Sequence, residues 1–168
     1  DSVASRGLGD VYKRQTYEAD YLESMELGFK STMRDGKLIV NGALYTMDWN
    51  NYQTTTYDLD LVAVAFVDNV GNAEVTGLEL NVQYDINDTT SLTYYFNGVD
   101  ATLAEDYFQN QSGTEELYAS AGNRLSDVPE SSHYISLDRD FYYGKNAGYF
   151  NIDYSCLLYT SDAADDMQ

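Results

Sequence analysis

The stretch EVTGLELNVQY, residues 74–84, decides the fold class. Bulky or apolar side chains fall on alternate positions from Thr76 to Tyr84, and polar or small ones fall between them. A period of two places the two sets on opposite faces of a β-strand. Such a segment, at about 3.3 Å per residue and a tilt near 45°, reaches roughly 25 Å, the height of the apolar band of a membrane barrel. Because soluble strands more often stop at about five or six residues, the length favours a transmembrane barrel.

The alternation predicts which side chains meet lipid and which meet the barrel interior. If the apolar face is the outer one, the lipid-facing candidates are Leu78, Leu80, Val82 and Tyr84. The same assumption turns the polar face of this strand, and of an earlier one, inward. The lumen-facing candidates are Glu26, Lys30, Glu79, Asn81 and Gln83.

Similar alternation recurs on both sides of this stretch, around residues 25–33, 38–45, 92–96, 135–138 and 150–154. Tight turns are predicted near Asp35-Gly36, Asn87-Asp88 and Gly144-Lys145, and long polar, tyrosine-rich loops span roughly residues 50–73 and 100–130. Short turns on one rim and long loops on the other are typical of outer-membrane barrels. The prediction is an all-β fold: an antiparallel meander of about six long strands, forming an open arc of a transmembrane β-barrel.

Both ends of the chain are predicted to be non-native. Residues 10–15, DVYKRQ, can be encoded as GAT GTG TAT AAG AGA CAG, and the reverse complement of that DNA, read one base out of frame, encodes residues 156–161, CLLYTS. One DNA word in two orientations therefore explains both flanks, which resemble translated sequencing adapters and are excluded from fold reasoning. The expected division is residues 1–15 adapter-derived, 16–155 native barrel and 156–168 adapter-derived.

Composition excludes several classes of function. The single cysteine, Cys156, lies in the adapter-like end, so a disulfide framework, a thiolate metal site and a cysteine nucleophile are not expected. The formal net charge of −19 disfavours nucleic acid as a partner, because an acidic surface repels phosphate. No segment approaches the ~20 apolar residues of a spanning helix. No motif supplies a catalytic set, and no cofactor is expected.

Three stretches carry a family resemblance. A late-barrel hairpin of TonB-dependent receptors resembles the first stretch, which consists of ELGFKS (26–31), DGKL (35–38), NGALY (41–45) and Asp48-Trp49. The segments that follow this hairpin in the family resemble NVGNAEVTGLEL (69–80) and GNRLSDVP (122–129). The resemblance implies a ligand-gated importer of the bacterial outer membrane, with a plug domain, the TonB complex and membrane lipid as partners. It also implies that the lumen-facing candidates contact the plug or line a hydrated path, in preference to contacting substrate.

Two sets of side chains have alternative interpretations. Trp49 and Tyr52 fit an interfacial aromatic girdle, or a stacking platform for a sugar or aromatic siderophore; with Tyr57 they are the ligand candidates of an extracellular loop. Asp58, Asp60 and Asp68 around the apolar run 61–67 fit a solvated loop better than a calcium site, because the EF-hand pattern is absent. The run itself is interpreted as the upper part of a barrel strand, with a loop that plugs the barrel as the alternative. His133, the sole histidine, is interpreted as a wall residue.

The function hypothesis is a wall segment of a TonB-dependent receptor that imports a siderophore, vitamin or oligosaccharide. The alternative is a secreted acidic β-sandwich that binds carbohydrate or calcium, which would have two stacked sheets and a shared core. Two further hypotheses are a passive porin and, more distantly, a β-rich hydrolase. As an isolated polypeptide the open arc is expected to aggregate in detergent-free buffer, because it exposes apolar surface and two strand edges.

Overall fold

The computed structural model describes residues 17–58, 64–111 and 114–159. Their fold is all-β. The ten strands in chain order are β1 (Tyr21–Met33), β2 (Leu38–Asn50), β3 (Gln53–Asp58), β4 (Val64–Asn69), β5 (Ala73–Asn87), β6 (Thr90–Leu103), β7 (Tyr107–Gln111), β8 (Thr114–Ala119), β9 (Ser131–Tyr143) and β10 (Asn146–Leu158).

Six of these strands form one antiparallel sheet in the order β1-β2-β5-β6-β9-β10, which we call the wall. Each wall strand has 13 to 15 residues, so the predicted strand at residues 74–84 is the middle of a longer one. The sheet is not closed, since β1 and β10 lie at its two edges. The structure confirms the predicted antiparallel meander of six long strands in an open arc.

Three tight turns join the wall strands in pairs, as the sequence predicts. Arg34, Asp35 and Gly36 all have positive φ (55°, 56° and 89°) between β1 and β2, a conformation that Asp and Gly adopt at low cost. Lys37 N donates to the Arg34 carbonyl oxygen at 3.1 Å and closes this turn. Gly144, with φ of 62°, turns the chain between β9 and β10. All three turns lie at the same end of the wall, the short-turn end.

The long connections lie at the opposite end of the wall, which we call the long-loop end. They contain short strands where the sequence predicted loops. Strands β3 and β4 form hairpin A, and β7 and β8 form hairpin B, each a separate two-stranded sheet. The interpretation of residues 61–67 as the upper part of a barrel strand is wrong for its described portion, because β4 pairs with β3 and not with the wall. Residues 61–63 lie outside the described part of the chain.

Within the three described ranges, no helix is long and apolar enough to span a membrane.

Candidate functional site

One face of the wall carries an apolar band that crosses all six strands. Strand register places Leu44 beside Leu78, Val40 beside Val82, and Leu38 beside Tyr84, and the band continues through β6, β9 and β10. Its side chains are open to the surroundings: Leu27 is 76% exposed and Ile152 is 62% exposed. The lipid-facing candidates Leu78, Leu80, Val82 and Tyr84 lie in this band by register, and Leu80 also borders the cavity described below.

No second layer covers the apolar band in the described residues. Every extensive backbone contact between strands joins hydrogen-bonded neighbours, and many of the large apolar side chains of the band are exposed. A β-sandwich buries such a band between two stacked sheets about 10 Å apart. The sandwich alternative predicted that arrangement, and the single-layer wall contradicts it.

The other face of the wall is polar along its middle and borders an open cavity of about 820 Å³. Residues from all six wall strands line this cavity, and most of them lie on the polar face, so we assign this face to the concave side of the sheet. Five residues of the apolar face also border the cavity: Phe29, Gly42, Leu80, Phe96 and His133. Four of the lumen-facing candidates, Glu26, Lys30, Glu79 and Asn81, are among the lining residues. Gln83 lies on the same face two residues beyond Asn81, past the cavity.

Near the middle of this face a tyrosine side chain covers a glycine on the neighbouring strand. The Tyr45 ring lies over Gly77 on the neighbouring strand, where any Cβ would overlap it. The ring reaches past β5, and Tyr45 Oη donates to Asn97 Oδ1 of β6 at 3.4 Å. An aromatic side chain that covers a cross-strand glycine fills the space left by the missing side chain. Three strands are thereby joined by one side chain on the concave face.

Toward the long-loop end the concave face becomes apolar and holds the buried core of the described residues. Ala73 and Ala101 are each 1% exposed, and Leu103 pairs with Ala73 on the same face as Glu79. Hairpins A and B contribute the flanking residues. We call this set the rim core: Val70, Ala73, Ala101, Leu103, Tyr107 and Leu125.

Side-chain hydrogen bonds join the two hairpins above the rim core. Tyr107 Oη of hairpin B donates to Asp68 Oδ2 of hairpin A at 2.8 Å. Gln109 Nε2 donates to the Tyr57 carbonyl oxygen at 3.2 Å. The backbone adds a further bond where the hairpins meet the wall, from Ala104 N to the Asn72 carbonyl oxygen at 2.8 Å. The two long loops therefore form one packed rim.

Burial raises the pKa of Tyr107 well above its ordinary value, and the hydrogen bond to the Asp68 carboxylate raises it further. The phenolate form is disfavoured in the packed rim. Because the folded-state pKa lies above the unfolded one, the stability that this residue contributes is fully present below pH ~10 and is lost as the pH rises above that value.

Tyr107→Phe should therefore make the rim less sensitive to alkali. At neutral pH we expect the variant rim to be less stable by about 1.5–3 kcal/mol, because the Asp68 carboxylate loses its donor. Above pH ~10 the difference between the two proteins should shrink. Fluorescence of Trp49, the single tryptophan, followed against pH in detergent micelles measures this. Superimposable pH curves for the two proteins would contradict it.

The three loop candidates for ligand contact occupy different environments. Trp49 and Tyr52 are partly buried against the rim core, and their rings meet edge to face with centroids 4.7 Å apart. Trp49 Nε1 also donates to Asp20 Oδ2 at 2.8 Å. Tyr57, at 51% exposure, leaves its ring open to solvent. Of the three, Tyr57 has the ring that a ligand can reach without rearrangement of the rim.

The remaining sequence candidates do not come together in a catalytic or metal site. His133 lies in the apolar band by register and also borders the cavity; its Nδ1 is 3.0 Å from the Tyr94 hydroxyl and its ring is beside Phe96. Asp68 accepts the Tyr107 hydrogen bond, Asp60 lies outside the described residues, and the Asp58 side chain is not described. The described ranges contain no group of three metal-ligating side chains.

A single-layer, curved, antiparallel wall with an apolar convex face and a polar concave face defines a segment of an outer-membrane β-barrel. A model of the family described as "TonB dependent receptor-like, beta-barrel" matches residues 9–166, and the chain belongs to this family. The family consists of outer-membrane receptors that act in transport, not of enzymes, and the protein is placed in the bacterial outer membrane. No curated protein and no solved structure matches the chain.

The family match and β10 both extend past Ser155, into the end predicted to be adapter-derived. Cys156, Leu157 and Leu158 pair with His133, Ser132 and Ser131. These residues extend β10 in register with β9. The division at residues 15/16 and 155/156 stays a prediction that rests on the DNA words.

Proposed function

We propose that the native part of the chain, residues 16–155, is a wall segment of a TonB-dependent receptor that imports a scarce ligand of the siderophore, vitamin or oligosaccharide class. The observation that carries the proposal is the single-layer wall with opposite polarity on its two faces. Lipid contacts the convex band, and the concave face borders the transport path. The packed rim lies on the extracellular side, where long loops of such barrels are found.

In this proposal the plug domain of the receptor is the main partner of the concave face. The side chains that contact the plug, or line a hydrated path beside it, are those of Glu26, Lys30, Glu79, Asn81 and Gln83. Asn81 supports this role, because its side-chain oxygen is buried and accepts no hydrogen bond from the described residues. A buried polar atom without a partner is costly, and a plug side chain or a trapped water would supply the missing donor. The TonB complex then acts on the plug and not on this wall.

Tyr57 is the proposed ligand contact of the rim, while Trp49 and Tyr52 hold the rim in place. An exposed aromatic ring on a well-packed support gives a ligand contact area at low entropic cost. Substrate identity is not encoded in the wall strands, since their concave side chains serve the plug.

Cysteine labelling tests the assignment of the two faces. In a Cys156→Ser background, Leu78→Cys and Glu79→Cys place thiols on neighbouring residues of opposite faces. With the chain folded in lipid vesicles, a water-soluble maleimide should label Glu79→Cys rapidly. Leu78→Cys should react only after the vesicles are dissolved, because its thiol lies in hydrocarbon. Equal labelling rates in vesicles would overturn the proposal.

Transport requires the longer reading frame that contains this chain. Expressed in an outer membrane that lacks its own receptors, that protein should take up one of three labelled probes: a ferric siderophore, cobalamin or a maltooligosaccharide. Uptake should disappear when TonB is deleted. Uptake that persists without TonB would favour the passive porin over the importer.

A further inference from the structure

Most of the basic side chains between residues 16 and 155 lie at the short-turn end of the wall. That part of the sequence contains six basic residues, of which four lie at this end: Arg34, Lys37, Arg139 and Lys145. Lys37 lies 3.9 Å from an Asp88 carboxylate oxygen. Within residues 17–58, 64–111 and 114–159, neither Arg34 nor Arg139 has a carboxylate at ion-pair distance. Because the chain has a formal net charge of −19, two arginines without acidic partners indicate an anion from outside the chain.

Arg34 is held on the convex face by a tyrosine. Tyr84 belongs to the apolar band by register, between Leu38 and Leu92 on the neighbouring strands. Arg34 Nη1 donates to Tyr84 Oη at 3.0 Å, and its Cζ lies over the tyrosine ring, 5.6 Å from the ring centroid, a cation–π contact. The guanidinium therefore lies at the margin of the apolar band nearest the turns. Its remaining N–H donors stay free.

Arg139 lies at a similar height on the same face. Leu137 pairs with Leu92 in the apolar band, and Arg139 follows two residues later, beside Thr90. The Arg139 side chain is exposed and forms no hydrogen bond with the described part of the chain. Only β6 separates its strand from that of Tyr84, so the two strands are roughly 10 Å apart. Two unpaired guanidinium groups thus border the apolar band side by side.

The opposite margin of the convex face is acidic. Strand register places Glu23 beside Asp48, and Asp48 beside Glu74, on three adjacent strands near the long-loop end. All three side chains are exposed. Like charges directly opposite one another are unfavourable, and such a row repels phosphate. The convex face therefore changes from acidic at the long-loop end to basic at the short-turn end, which favours phosphate groups at the short-turn end only.

We propose that Arg34 and Arg139 each bind the phosphate group of a phospholipid in the membrane leaflet at the short-turn end. A guanidinium matches phosphate because its planar N–H donors form paired, charge-assisted hydrogen bonds. The acyl chains of each lipid then lie along the apolar band. This inference rests on the proposed function, because it requires the convex face to lie in a membrane.

Lipid retention in native mass spectrometry tests the two sites. The probe is dioleoylphosphatidylglycerol, added to the chain in detergent micelles. Arg34→Gln and Arg139→Gln should each retain one lipid fewer than the unchanged chain, and the double variant should retain two fewer. Both side chains are exposed, so the far-UV circular dichroism of the variants should match that of the unchanged chain. Retention that is the same in all four proteins would overturn the proposal.

The matched control is Lys30→Gln, which makes the same change of charge at the concave cavity and should retain as many lipids as the unchanged chain. An equal loss in this control would show an effect of net charge and overturn the two sites. Dioleoylglycerol, which lacks the phosphate, should not be retained; equal retention of it would assign the binding to acyl chains alone. Displacement of the phospholipid by millimolar inorganic phosphate would indicate a free-anion site and overturn the lipid assignment.

The outcome is separable from that of the proposed function. Labelling of Leu78→Cys and Glu79→Cys depends on which face meets hydrocarbon and does not involve Arg34 or Arg139. If the labelling distinguishes the two faces while lipid retention is unchanged in the arginine variants, the wall assignment stands and the phosphate sites are wrong.

Discussion

Val82→Arg should destabilise the membrane-folded chain by about 2–4 kcal/mol, the cost of an arginine that faces lipid near the midplane of a bilayer. Val82 lies on the convex face, between Val40 and Tyr94 on the neighbouring strands. It is also near the middle of the apolar band of β5, which runs from Leu78 to Ile86. The guanidinium therefore has no short route to either membrane surface. Urea titration of the chain folded in phosphatidylcholine vesicles measures the loss.

The matched control is Gln83→Arg, one residue later on the same strand. Gln83 is exposed and lies on the concave face, so its arginine would stay in water. We expect a change of less than about 1 kcal/mol, as for a solvated surface charge. If both arginines destabilised the chain equally, the two faces would not differ in their surroundings, and the membrane orientation would be wrong.

The wall could be predicted from the sequence because each pattern that defines it lies within one short stretch of the chain. Period-two alternation in residues 74–84 sets the two faces of a strand without reference to any other segment. Turn chemistry is equally local, since the Asp35-Gly36 pair supplies two residues that accept positive φ. Once strands and turns are placed, an antiparallel meander is the simplest way to connect them. The open arc then follows from the number of strands.

The rim could not be predicted in the same way, because its signals are spread along the chain. Val70, Ala101 and Leu125 lie far apart in sequence and meet only after the wall has formed. Short strands such as β3 and β7 are rich in Thr, Gln and Asn. From sequence alone, such polar stretches predict loops, because the core that they pack against cannot be seen in the sequence. The buried Ala73 and Ala101 are small enough for hairpin residues to approach closely, and small size alone gives no signal in a single sequence.

Leu125→Ala should loosen the rim while leaving the wall intact. Leu125 is 7% exposed, and its backbone N–H donates to the Ala101 carbonyl oxygen at 2.9 Å, so its side chain is held against the rim core. Truncation of a buried leucine costs about 2–5 kcal/mol, depending on how far the site collapses. The rim core is the only buried hydrophobic cluster of the described residues. No other cluster can therefore compensate for the free energy of unfolding that the rim loses. We expect faster hydrogen exchange in hairpins A and B and altered Trp49 fluorescence, with the far-UV circular dichroism of the wall unchanged.

Leu117→Ala, in hairpin B, is the control for Leu125→Ala. It distinguishes the loss of core packing from a change in local strand propensity. Leu117 is 53% exposed and pairs with Phe108 on the open side of the hairpin. Its truncation leaves no cavity, so we expect little change in exchange rates or in Trp49 fluorescence. Equal effects of the two substitutions would mean that the hairpins are held by their own strand pairing and not by the rim core. In that case hairpins A and B would move independently, and Tyr57 could not be a ligand contact on a fixed support.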